Sequence, residues 1–132
     1  MAQPIPDLWP EIEQTQVVPP VAILREQAAL LGQKTNYLLQ GRVQTTVDLH
    51  GRFVHSFYIV APALDDYTYK LFEVKHDANQ YPVEADSLGR TGPLTVDLNS
   101  EQQLLDHIRK ILNSDKTKRV VGSLLAQVKA TS

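Results

Sequence analysis

Apolar and polar positions change period repeatedly along this chain, and each change marks an element. From Pro20 the apolar residues Val21, Leu24, Ala28 and Leu31 fall at helical spacing, with Arg25, Glu26 and Gln27 on a polar face. Proline suits a first helical position and Gly32 a C-terminal stop, so the spacing predicts one short helix. From Tyr37 the period becomes two: Tyr37, Leu39, Val43, Val47 and Leu49 alternate with Gln40, Arg42, Gln44, Thr46 and Asp48. This predicts a strand with one buried face. His50-Gly51 is a turn signal, and Phe53 to Val60 resumes as a second strand, giving a hairpin.

The second strand differs in kind. Phe53, Phe57 and Ile59 occupy one face and Val54, Tyr58 and Val60 the other, the pattern of a central strand with a layer on each side. Tyr67 to His76, rich in aromatic and branched residues, predicts a third strand. A short strand at Tyr81 to Ala85 follows the turn at Asp77 to Asn79, with Pro82 favouring an edge. Residues 86 to 93, with Gly89, Gly92 and Pro93, read as a loop, and Leu94 to Val96 fits either a brief strand or more loop. The last third is helical twice over. Ser100 with Gln103 resembles a capping box ahead of the stripe Leu104, Leu105, Ile108, Ile111, Leu112. Asn113 to Asp115 interrupts it, and Val120, Val121, Leu124, Leu125 and Val128 form a second stripe.

The first nineteen residues stand apart. Five of the eight prolines lie within residues 1 to 20, which rules out a continuous helix or a paired central strand there. Yet Ile5, Leu8, Ile12 and the only tryptophan, Trp9, lie in this arm and need apolar cover. The arm is expected to lie over its own domain, on a sheet face or edge, or else to reach a second copy. The organisation expected is therefore a proline-rich arm, residues 1–19, and one α+β domain, residues 20–132. Its antiparallel meander of three to five strands carries one helix before it and two C-terminal helices packed on it.

Composition narrows the setting. With 132 residues, 42% hydrophobic and 21% charged, the chain is of single-domain size and ordinary globular make-up. It contains no cysteine, which removes disulfides, thiolate metal sites and cysteine nucleophiles together. No apolar run approaches the roughly 18 residues of a membrane span, and Met1 to Pro6 opens no signal-peptide pattern, so a cytoplasmic protein without membrane contact is expected. The net charge is −2, with 6 basic and 3 acidic side chains in residues 101–132, too slight a margin for a nucleic-acid footprint.

Several patterns carry candidate chemistry. Glu73-Val74-Lys75 puts a carboxylate and an ammonium on one strand face, fit to hold a divalent metal and to stabilise a developing anion. Over residues 20 to 76 this resembles the layout of metal-dependent nucleases of the PD-(D/E)xK class, an acidic residue and then E-x-K on strands after a helix. The resemblance implies phosphodiester cleavage with Asp65 or Asp66 as upstream metal ligand, although their seven or eight residues before Glu73 are fewer than that family's spacing. A charge pair exposed along a strand accounts for the same residues.

His50, His55, His76 and His107 lack the helical pairing of metal motifs, and a hydrogen-bonded, half-buried His55 is expected. Nucleophile-elbow and phosphate-loop motifs are absent. No metal or cofactor is expected. The tyrosines Tyr58, Tyr67, Tyr69 and Tyr81 have hydroxyls that need partners, and with Trp9 they form the candidate binding set. The expectation is a small non-enzymatic protein-binding or accessory domain whose partner is another protein or a second copy. The metal-dependent nuclease is its alternative.

Overall fold

The computed structural model describes residues 3–88, 92 and 94–131. Helix α1 (Pro20–Lys34) is followed by strands β1 (Gln40–Val47) and β2 (Phe53–Ala61), a short 3-10 turn (Pro62–Leu64) and β3 (Tyr67–His76). Then come β4 (Val83–Asp86), β5 (Thr95–Leu98) and helices α2 (Glu101–Leu112) and α3 (Asp115–Thr131). The strands form one sheet in the order β1-β2-β3-β4-β5, every neighbouring pair antiparallel. The fold is α+β, a meander with one helix before it and two after it. Among the described residues no helix is long and apolar enough to cross a membrane.

The third strand has the bounds that its composition suggests, and Ser100 caps α2 by accepting the Gln103 N–H at 3.2 Å. The Gln103 side chain reaches back to the Asn99 N–H at 2.8 Å, one residue earlier than a capping box would have it. The open segment before α2 supplies β5, while Gly89 and Pro93 of the expected loop lie outside the described residues. Two boundaries differ from expectation at the first helix. Gly32 does not stop α1: the helix continues to Lys34, and Thr35 closes it with its N–H and hydroxyl on the carbonyls of Leu31 and Gly32. Gly32 is buried for packing, since a Cβ there would lie 3.3 Å from the Tyr37 ring. Tyr37 in turn is not in β1. It and Asn36 adopt left-handed backbone, and the Tyr37 N–H donates to Gly32 O, which turns the chain before the strand begins.

The register places Gly41, Phe57, Ile59, Phe72, Val74, Val83, Ala85 and Leu98 on one sheet face. That face meets Ile23, Leu24 and Ala28 of α1, Leu104, Ile108 and Ile111 of α2, and Leu124 and Val128 of α3 in a single core. The closest approach is α1 on β1. A Cβ on Gly41 would sit 2.4 Å from Ala28 Cα, so no side chain fits there. A bulge divides β3: Phe72 pairs with Phe57 but Lys70 with Tyr58, leaving Leu71 unpaired on the strand.

The other face of β2 corrects the expectation of two covering layers. Val54, Ser56 and Val60 are buried, yet Val54 and Val60 stand outside the core cluster. Their cover comes from neighbouring strands. The Arg42 guanidinium lies 5.2 Å from the Tyr58 ring centroid, and Lys70 pairs with Glu73 at 2.6 Å beside Ser56. Long polar side chains lay their methylene stems over a central strand while their charges stay wet, so one helical layer suffices. The arm does not cover its own sheet either: Ile5, Leu8, Trp9 and Ile12 are 90%, 83%, 76% and 77% exposed.

Candidate functional site

Glu73 and Lys75 share the outer, helix-free face of β3. Ser56 and Lys70 both donate to Glu73 Oε2, and the Lys70 ammonium holds the carboxyl below its ordinary range. Asp65 and Asp66 sit at the far end of the strand, in left-handed backbone after the 3-10 turn. At about 3.3 Å per residue, Asp66 lies about 20 Å from Glu73. The structure therefore does not bring the upstream acid to the acidic-x-Lys pair, and among the described residues no group of three or more His, Asp or Glu could hold a metal ion. The spacing that departs from the nuclease layout is the physical reason: both acids fall in the β2–β3 turn instead of on an adjacent strand.

The histidines separate. His50 lies in the β1–β2 turn, and His107 is buried with Nε2–H donating to Asp86 O at 3.0 Å. Burial pushes His107 below its ordinary value. His55 and His76 face each other across β2 and β3 with Nε2 atoms 2.7 Å apart, against the Phe53 ring. Protons in this chain of contacts can be placed from acceptor chemistry. Asp77 O, 2.6 Å from His76 Nδ1, only accepts, so His76 carries its proton on Nδ1 and, when neutral, presents a bare Nε2. His55 donates Nε2–H to that nitrogen, and its Nδ1 accepts from the Thr45 hydroxyl at 2.8 Å. Every polar atom is satisfied with both rings neutral. Desolvation, then the charges of His76 and Arg25, push His55 down to about 4. At 2.7 Å the nitrogens are closer than the roughly 3.3 Å that two zinc bonds of about 2.0 Å at a tetrahedral angle require, so the pair is built for a hydrogen bond.

The aromatic set does not form one surface. Tyr58 is on the outer face under Arg42, Tyr67 and Tyr69 flank a cleft beside α3, and the Tyr81 hydroxyl donates to Val18 O at 3.3 Å. Trp9 projects from the arm. The bulge at Leu71 turns Tyr67 and Tyr69 to the face opposite Tyr58, while Tyr81 precedes β4 and Trp9 lies in the arm.

A feature absent from the sequence reading lies between α1 and α3. There the helical layer leaves a groove of about 600 Å³ over the middle of the sheet. Phe57, Ile59 and Leu71 form its floor, Leu30 and Leu31 one wall, and Val121, Gly122 and Leu125 the other. Lys34 and Lys118 stand on its rim. Such a volume is in the range of about 300–1,000 Å³ for ligand and anchor pockets. The signal for it was the width of the α3 stripe: Leu124 and Val128 are fully used by the core, while Val121 and Leu125 remain half-exposed. No protein-family model, no curated protein and no solved structure matches the chain.

Proposed function

We propose that the protein is a non-enzymatic protein-binding or accessory domain, with the arm and the α1–α3 groove as its contact elements. The observation that carries this reading is the arm, whose four large apolar side chains are each at least three-quarters exposed. Apolar surface of that size without cover is the mark of an interaction site. The groove supports it as an apolar receptor surface on the same molecule. The same reading puts the chain in the cytoplasm, on the ground that it has no cysteine to staple it.

A photo-reactive benzophenone amino acid at position 9, at position 121 and at the exposed control Glu26, introduced in cells that make the protein, tests this. Discrete protein adducts are expected at 9 and 121 and not at 26. Absence of any protein adduct at both contact positions would refute the reading.

A further inference from the structure

We propose that the groove receives the arm of a second copy of this chain, so that two chains associate by exchanging their N-terminal arms. The inference deepens the protein-binding reading and rests on it. Leu8, Trp9 and Ile12 fall on one side of a short helix, with Ile5 just ahead of it, the placement by which an amphipathic segment anchors in a groove. The first contact of that helix exists already: the Asp7 carboxylate accepts the Trp9 N–H at 3.1 Å, as an N-cap does from the second helical residue. With Asp7 as cap, Pro10 falls in the first turn, where no intrahelical bond uses the N–H it lacks.

Charge favours the same pairing. Residues 1–19 carry Asp7, Glu11 and Glu13 and no lysine or arginine. The groove rim carries Lys34 and Lys118, and among the described residues neither is in an ion pair and no acidic side chain lines the groove. Gly122 leaves the α3 wall open, with nothing within 4 Å of where its Cβ would be, so an incoming helix can approach the backbone.

The departure of the arm selects a second copy over its own domain. Val18 precedes Pro19-Pro20, which confines it to extended backbone, and its carbonyl accepts from the Tyr81 hydroxyl. The α1 wall of the groove starts at Gln27, about 10 Å along the helix from Pro20. On its own chain the arm leaves the groove alone: its four apolar side chains are 76–90% exposed and none of them lines it. Directed outward, it meets a neighbour, and reciprocal exchange closes a two-fold dimer.

Light scattering and sedimentation of the full chain across micromolar concentrations test the proposal. The mass should rise with concentration from 14.8 kDa to twice that value. Trp9→Ala should weaken the dimer about 1,000-fold, about 30-fold for each of the two arms. Gly122→Leu fills the groove with a better helix former, so it should abolish the dimer while holding or raising the melting temperature. A monomer at every concentration, or a Gly122→Leu chain that dimerises as well as the parent, overturns the proposal. Since the chain has no cysteine, Glu13→Cys with Lys118→Cys introduces the only thiols and leaves Trp9 and the apolar groove walls in place. A disulfide joining arm to α3 between chains supports exchange, whereas one within a single chain overturns it. Adducts of positions 9 and 121 with a different protein would still uphold the protein-binding reading, so the two fail separately.

Discussion

Acidification should loosen this fold through His55. The ring is 4% exposed, its pKa is pushed down to about 4, and in the unfolded chain it returns to an ordinary value near 6.5. The native state thus disfavours the proton that the unfolded state accepts. The contribution is complete above pH 6.5, falls as pH drops through the interval from 6.5 to 4, and is fully lost below 4. A separation of about 2.5 units corresponds to about 3 kcal/mol in total, of which about 2 kcal/mol is lost between pH 7 and pH 5. For a chain of this length that is a fall in melting temperature of about 6–10 °C. The groups facing the ring are His76, Thr45 and Phe53 within the sheet and Arg25 on α1, and none is an acid that would retain the proton. The assay is urea unfolding followed by far-ultraviolet circular dichroism at pH 7, 6 and 5 for the parent chain and His55→Leu. The substitution should cost stability at pH 7, since it strips His76 Nε2 of its donor, but should flatten the pH slope by nearly one proton. Equal slopes for the two chains would refute the burial argument.

Three further outcomes follow from local packing. Gly41→Ala should destabilise by about 3 kcal/mol in thermal melts, and Ala28→Gly should not restore it, because the new Cβ meets the Cα and carbonyl of residue 28 as well as its Cβ. Thr35→Val should cost about 1–3 kcal/mol in urea titrations, since the hydroxyl both donates to Leu31 O and accepts the buried Leu39 N–H, which would be orphaned. Glu73→Gln should change stability by less than about 1 kcal/mol, because Lys70–Glu73 is a partly exposed pair, and plasmid incubated with Mg2+ should be indistinguishable for the two chains.

What could be read from the sequence was whatever a single element decides by itself. The aromatic and branched run of Tyr67 to His76, the Ser100–Gln103 cap and the α2 stripe each need only neighbours along the chain. What escaped depends on register. Val54 and Val60 imply a missing layer until Arg42, Lys70 and Glu73 are known to lie on the strands beside them. His55 and His76 are 21 residues apart, and their bond exists only because β2 and β3 pair with Phe53 opposite His76. His107 is off the apolar stripe of α2 yet buried, because its ring reaches the last carbonyl of β4. The groove arises from how three helices share one sheet face, which no element encodes alone.

The position of the one tryptophan has a spectroscopic consequence. Indole emission from this protein reports only on the arm, whereas the five tyrosines, Tyr37, Tyr58, Tyr67, Tyr69 and Tyr81, all lie in the folded domain and report on it. Unfolding the sheet should leave the red-shifted emission of a hydrated indole almost unchanged in dilute solution. Seating the arm should shift that emission to the blue without altering the tyrosine signal. Two colours of intrinsic light therefore separate association from folding in a single cuvette, with no label attached.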